Sequence, residues 1–220
     1  VNQKLIVAPG ITDYGDLKGK IFAVDAPTTG YAIVGVYILK KHGLELNKDY
    51  TFKAFGNTAA RADAMSRGDA SGAMMSLADD EIQKRGFKAL AKSEDYVQQY
   101  ARGLGATRRE WANKNEELLV RFIRAMIRAT DWVTDPKNKE EVIAILLPEN
   151  RNNKARAEAM FTESLSPRFG FTPRSQIDME GIQSVIQLRE IAGLMKPPVP
   201  KPEKYVDDRF YKKALASLDK

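Results

Sequence analysis

IFAVDAPTTGYAIVGVYILKKHG, residues 21–43, is the stretch whose reading decides the fold. Ile21-Phe22-Ala23-Val24-Asp25 is a short apolar run of the composition that suits a buried strand. Pro27, Thr28, Thr29 and Gly30 then break the run with turn-forming residues. A helix follows from about Tyr31 to Lys41, with His42 in its last turn and Gly43 placed to supply the left-handed residue that ends it. Strand, polar turn and helix in that order make the first half of a βαβ unit.

The pattern continues downstream. Strands are expected at 50–55, 71–76 and 87–91, alternating with helices at about 59–67 and 78–85. These two helices stop at Gly68 and Gly86, each preceded by a basic residue, as the first one does. Four short strands separated by helices predict an α/β architecture with a mostly parallel sheet over residues 21–91.

Beyond a strand-like segment at 99–107 the character changes to mainly helix. The longest helix is predicted at 116–133 behind an Asn115 cap, with Leu118, Leu119, Phe122, Ile123, Met126, Ile127 and Thr130 at three- and four-residue spacings on one broad stripe. Asp135-Pro136 ends it. Helices at 139–147, 155–164 and 179–192 follow, then a proline-rich stretch, 196–204, that must run as an extended strap. A short helix at 208–218 comes last.

With 220 residues, 43% of them hydrophobic, the chain is long enough for one large domain or two smaller lobes. The net charge of +6 comes from interspersed acids and bases rather than a basic stripe, so nucleic acid is not an expected partner. No apolar run approaches the roughly 20 residues that cross a bilayer. No basic region followed by an apolar one opens the sequence, so an export signal is not read in these residues. Cysteine is absent, which removes disulfides, thiolate nucleophiles and cysteine-bound metals.

In an open parallel sheet, ligands bind outside the carboxyl ends of the strands, where strand-to-helix corners converge. Three such corners are legible. The first carries Thr28, Thr29, Gly30 and Tyr31 at a helix start, where free N–H groups and the positive dipole end favour a carboxylate, sulfonate or phosphate. The second carries Gly56, Asn57 and Thr58, with Arg61 one turn into the helix. The third is Ser76-Leu77-Ala78-Asp79-Asp80. Each hydroxyl or amide also fits an ordinary helix cap. Arg61 fits either bidentate contact with an anion or an ion pair with Asp63, Asp69 or another surface carboxylate. Tyr31 and Tyr100 fit ligand stacking or the core.

Catalytic parts are few. The sequence has no Gly-x-Gly-x-x-Gly loop, P-loop, His-Glu-x-x-His helix or Gly-x-Ser-x-Gly elbow. His42, the one histidine, belongs to the helix end away from the corners, so no catalytic residue, metal ligand or cofactor is expected.

Asp16-Leu17-Lys18-Gly19-Lys20, the strand and hydroxyl turn after it, and His42-Gly43-Leu44 resemble the substrate-binding proteins of nitrate, sulfonate, taurine and thiamine-precursor ABC importers. The resemblance continues through Gly56-Asn57-Thr58, Arg67-Gly68-Asp69-Ala70, Ser76, Gly86-Phe87-Lys88-Ala89-Leu90, Arg108-Arg109-Glu110-Trp111 and Tyr205-Val206-Asp207. It implies a type-two periplasmic binding fold whose two lobes, joined by two hinge strands, close on a small anionic or aromatic molecule. It also implies no catalysis, a periplasmic or lipid-anchored extracytoplasmic location, and an inner-membrane ABC permease as partner. Two further classes share this fold: thiamine-pyrimidine synthases, which use a cysteine motif and an active-site histidine, and effector-sensing domains of transcription regulators, which carry a helix-turn-helix.

On that pattern, residues 1–20 supply a hinge strand (4–9) and the lead into the second lobe, and 21–98 form a complete ligand-closing lobe. Residues 99–107 form the return hinge strand, and 108–220 are the helical share of the first lobe, with the strap at 196–204. The family's amino-terminal strand–helix–strand segment has no counterpart here, so the chain is expected to be a truncated copy, a fragment or part of a longer protein. Without that segment, the 118–127 stripe is expected to lie open.

Overall fold

The computed structural model describes residues 3–101, 103–150, 152–167 and 170–218. It divides into two compact units, residues 1–100 with 181–200, and residues 101–180 with 201–220.

The first unit is a five-stranded sheet covered on both faces by helices. Its elements are β1 (Lys4–Val7), β2 (Lys20–Val24), α1 (Gly30–Lys41), β3 (Tyr50–Ala54), α2 (Thr58–Ser66), β4 (Gly72–Met75), α3 (Asp79–Lys84) and β5 (Lys88–Lys92). The strand order is β3-β2-β4-β1-β5. β2 pairs in parallel with β3 and with β4, whereas β1 runs antiparallel to both β4 and β5. The four strands and three helices expected over residues 21–91 are all present.

Alternation along the strands separates two apolar layers. Leu5, Val7, Phe22, Val24 and Met74 point into one, with Ala32, Ile33, Ile38 and Leu39 of α1. Ile6, Ala23, Ala73 and Met75 point into the other, with Ala62 and Met65 of α2 and Ile82 of α3. Phe22, 1% exposed, lies at the middle of the first layer. The sheet comes close to α1 there, because a Cβ on Gly35 would lie 3.1 Å from Met74 Cγ and 3.2 Å from Phe22 Cε1.

The ends of α1, α2 and α3 share one motif. After α1, Gly43 takes a φ of 78° and donates to Lys40 O at 3.0 Å, while Leu44 N reaches back to Leu39 O at 3.0 Å. This is a Schellman ending, which satisfies carbonyls that the helix leaves open. Gly68 and Gly86 repeat it. His42, at the α1 C-cap, stacks on Tyr14 with ring centroids 3.5 Å apart, and its Nε2 lies 2.7 Å from the Tyr96 hydroxyl.

β1, expected as a hinge strand, pairs inside the sheet between β4 and β5, a pairing that the sequence reading did not give. Two observations differ from the sequence expectations. The described residues of 99–107 form no strand, since no neighbouring strand offers them a ladder and Gly103 and Gly105 weaken any extended preference. α8 (Met179–Ile191), expected with the helical half, places Leu188 in the core layer under α1, with Ala192 packed against it.

Among its described residues the second unit is helical: α4 (Arg109–Lys114), α5 (Glu116–Thr134), α6 (Lys139–Glu149), α7 (Lys154–Ser164) and, after α8, α9 (Arg209–Ala216). α6 and α7 enclose a small core of Val142, Ile143, Ala157 and Phe161. α9 lies along α5, tied by Lys213 to Glu116 and by Arg124 Nη1 to Ser217 Oγ at 3.4 Å. Only Ile127 and Thr130 of α5 are buried, and Leu118, Phe122 and Met126 are 49%, 58% and 47% exposed. No described helix is long and apolar enough to cross a membrane.

Candidate functional site

Because β2, β3 and β4 are parallel, their carboxyl ends lie along one rim of the sheet, and each runs into a corner that starts a helix. β2 is followed in sequence by β3 on one side of it, and the chain then crosses to β4 on the other. The crevice between β2 and β4 is therefore the topological switch point, where open α/β sheets admit ligands.

At the first corner Thr29 is the N-cap of α1. Its Oγ1 donates to Asp25 Oδ1 at 2.6 Å and accepts from Ala32 N at 3.4 Å. Thr28 beside it is exposed, and Gly30 opens the helix. A side chain at 30 would displace the Tyr100 hydroxyl, since a Cβ would lie 2.5 Å from it. Tyr100 thus lays its phenol across the first turn of α1. Burial raises the pKa of that phenol.

The second corner is tied to the first. Phe55 N donates to Val24 O at 2.9 Å, Gly56 takes a φ of 88°, and Asn57 caps α2 by accepting from Ala60 N at 3.0 Å. Arg61, 2% exposed, turns inward beneath both corners. Its Nη1 donates to Gly56 O at 2.8 Å and its Nη2 to Thr58 Oγ1 at 3.3 Å. Nη1 stands 3.7 Å from Asp25 Oδ1, and the guanidinium lies over the Tyr31 ring at 5.2 Å. Burial pulls the pKa of Arg61 down, while the Asp25 carboxylate opposes that and favours the cation. Neither surface pairing considered from the sequence is made: Asp63 binds Arg85 at 2.8 Å and Asp69 binds Arg67 at 2.9 Å. Arg61 braces the rim from below.

The third corner carries Ser76 on its exposed surface. Next to it Lys4 of β1 reaches Asp79 Oδ1 at 2.5 Å and Leu77 O at 3.5 Å. Thr29, Gly56, Thr58, Arg61 and the Tyr31 ring are therefore linked through Asp25 and the Arg61 guanidinium, with Thr28, Gly30 and Asn57 beside them along the chain, and Ser76 lies at the third corner of the same rim. The residue that sequence reading passed over is Asp25, which joins the two bonded corners. Its signal was an acid ending a strand four residues before a threonine cap. Among the described residues no three His, Asp or Glu side chains gather as metal ligands.

Residues 7–147 match the NMT1-like family. No curated protein matches the chain significantly. Solved structures do. One, from Methylobacillus flagellatus and assigned as the periplasmic sulfonate-binding protein of a sulfonate ABC transporter, is 19% identical over 99% of this chain and 66% of its own, with a TM-score of 0.60. The periplasmic nitrate-binding protein of Synechocystis PCC 6803 is 14% identical over 99% of this chain and 65% of its own, at a TM-score of 0.66. The alkanesulfonate-binding protein of Xanthomonas axonopodis pv. citri, bound to MOPS, is 19% identical over 90% of this chain and 67% of its own, at a TM-score of 0.58. The fold is that of periplasmic binding proteins, and the chain spans about two-thirds of the length of these three.

Proposed function

The chain belongs to the NMT1-like family, and from that premise we propose that it is the solute-binding component of an ABC importer, holding a small organic or inorganic anion at the rim of its sheet. The observation that carries this reading is the convergence of the β2 and β3 corners, with their hydroxyls and helix starts, over a buried arginine. Thr28, Thr29, Gly30, Tyr31, Asn57 and Thr58 are the proposed contacts at the bonded corners, and Ser76 flanks them. Gly56 and Arg61 hold the second corner in shape. Helix starts and neutral donors recognise an anion without needing a catalytic group.

On this reading the chain works outside the cytoplasmic membrane and delivers its ligand to a permease there. The fold's two other classes gain no support from the site. His42 occupies the far end of α1, stacked on Tyr14 and bonded to Tyr96, and offers no base to the rim.

Thermal unfolding of the purified protein against ethanesulfonate, taurine, nitrate, acetate and benzoate tests the proposal. A ligand at 100 times its Kd stabilises the folded state by about 2.7 kcal/mol, a readily measured rise in Tm. Stabilisation by at least one of these acids, reduced in Thr29→Val and Asn57→Ala, is the expected result. Absence of any stabilisation across the panel up to 10 mM on the order-of-magnitude scale of weak binding refutes it.

A further inference from the structure

Resting on the binding role just proposed, we infer that Asp25 touches the ligand and sets its specificity, accepting a hydrogen bond from a protonated amine that the ligand carries next to its acid group. The class it selects is a small zwitterion, an amino acid or an aminosulfonate, in preference to a plain acid of the same size.

Asp25 directly follows β2, the strand that borders the switch-point crevice. Its Oδ1 is used twice, accepting from Thr29 Oγ1 at 2.6 Å and standing 3.7 Å from Arg61 Nη1. The longer distance gives charge attraction without a hydrogen bond, because Nη1 donates to Gly56 O at 2.8 Å instead. Nη2 is likewise turned to Thr58 Oγ1. Asp25 Oδ2 has no hydrogen-bond partner among the described residues, and the side chain is 29% exposed. A carboxylate offers about four acceptor positions. Joining the two corners takes only Oδ1, so Oδ2 is left over for a donor from outside.

The ligand's acid group has its own place beside this carboxylate. Thr29 Oγ1 satisfies Ala32 N at 3.4 Å, while the N–H groups of Gly30 and Tyr31 have no partner among the described residues. Those two amides, at the positive end of α1, suit an oxyanion. An oxyanion held there stands close to Asp25, since Thr29 bonds Asp25 and is also the residue that caps the helix. For a plain acid that closeness is repulsive. An amine on the same ligand reverses the sign, because an ammonium group is attracted to Oδ2. Hydrogen bonds between ionised partners are roughly twice as strong as neutral ones. Arg61 does not take this role away, because it is 2% exposed and cannot rise to Oδ2 without leaving Gly56 and Thr58.

Titration calorimetry with taurine against ethanesulfonate, and with β-alanine against propionate, tests the assignment, since within each pair only the amine differs. In the wild type the amine-bearing member is expected to bind about tenfold more tightly or better, which is what one hydrogen bond between charged groups contributes. Asp25→Asn keeps an oxygen for Thr29 and removes the charge. It is expected to bring the ratio to within about twofold, chiefly by weakening the zwitterion. Asp25→Ser serves as the neutral variant should Asp25→Asn unfold, and a Tm within a few degrees of wild type shows that each is folded. If both unfold, the wild-type ratio alone decides. If the wild type binds ethanesulfonate, propionate or nitrate as tightly as the amino ligands, or a folded neutral variant keeps the wild-type preference, the assignment is overturned and the binding role stands. If the wild type binds none of these ligands and no other acid of the panel, the binding role fails and this assignment with it.

Discussion

Arg61 offers the sharpest test of how the rim is held. Replacing it with alanine removes two hydrogen bonds from a charged donor, to Gly56 O at 2.8 Å and to Thr58 Oγ1 at 3.3 Å. It also empties a site that is 2% exposed. Breaking a buried charge pair from one side costs roughly 3–5 kcal/mol where the remaining partner is sealed from water. Asp25 is not sealed, because its side chain is 29% exposed, so water takes up much of its stranded charge. The cation's own desolvation, which burial imposes, is recovered on removal. The balance is a loss of about 3 kcal/mol for Arg61→Ala. Arg61→Met keeps the stem and its packing and relieves the desolvation, and its loss is about 1 kcal/mol. Urea unfolding followed by far-ultraviolet circular dichroism measures both. Tryptophan fluorescence does not serve, because Trp111 and Trp132 both lie in the helical unit. An alanine variant within 0.5 kcal/mol of wild type, on the order of ordinary surface substitutions, would refute the view of Arg61 as a buried brace.

Thr29→Ala discards the N-cap of α1 and its bond to Asp25, for a loss of about 1 kcal/mol in chemical unfolding. Thr29→Asn keeps a capping side chain, so its stability stays near wild type while anion affinity falls; equal losses of both would make Thr29 a cap alone. Gly35→Ala forces a methyl against Met74 and Phe22 at 3.1–3.2 Å and lowers stability by about 1–3 kcal/mol, a loss that Phe22→Leu in the same chain reduces. In the helical unit, Arg209 binds Asp207 through Nε at 2.8 Å and Nη2 at 2.7 Å and so holds the Asp207 carboxyl down at about 2, against an ordinary value of 3.8. A depressed folded-state value stabilises above the unfolded one, so this contribution is complete above about pH 4 and is lost as pH falls through about 2. Carboxyl NMR titration is expected to find that low midpoint and to see it rise in Arg209→Gln; a midpoint near 4 in the wild type contradicts the bidentate geometry.

The central α/β motif was legible because its signals are local. An apolar run, a hydroxyl turn, a helical period and a closing glycine sit within about 20 residues of one another, and each constrains its neighbour. The pairing of β1 was not legible for the opposite reason. Lys4-Leu5-Ile6-Val7 reads as a strand, but nothing in four residues says that its partners are Gly72–Met75 on one side and Lys88–Lys92 on the other. The 99–107 segment carried a strand-like composition without a partner, and composition alone does not make a ladder. α8 showed its helical period but not which layer it would cover. At the site, the caps and glycines were found by pattern, because capping chemistry is sequential. Arg61 was read as a charge that meets an anion or a carboxylate, and its burial was not foreseen, since that depends on Gly56 O, Thr58 and Asp25 being gathered by two separate corners. Tyr100 was weighed as a stacking or a core residue, and its place over Gly30 depends on a contact between distant positions that no local signal gives.

The antiparallel strand β1, set between β4 and the edge strand β5, has a consequence for assembly. β2, β3 and β4 are linked by short helical crossovers and can come together from nearby chain, whereas Lys4 must find both Met75 and Lys92. Contacts between distant residues form late, because closing a long loop is entropically costly before any bond rewards it. Until β1 arrives, the sheet holds an open slot with a bonding edge on each side, and the same four residues from a neighbouring molecule fit that slot equally well. Strand exchange between copies is the misassembly this arrangement invites at high concentration.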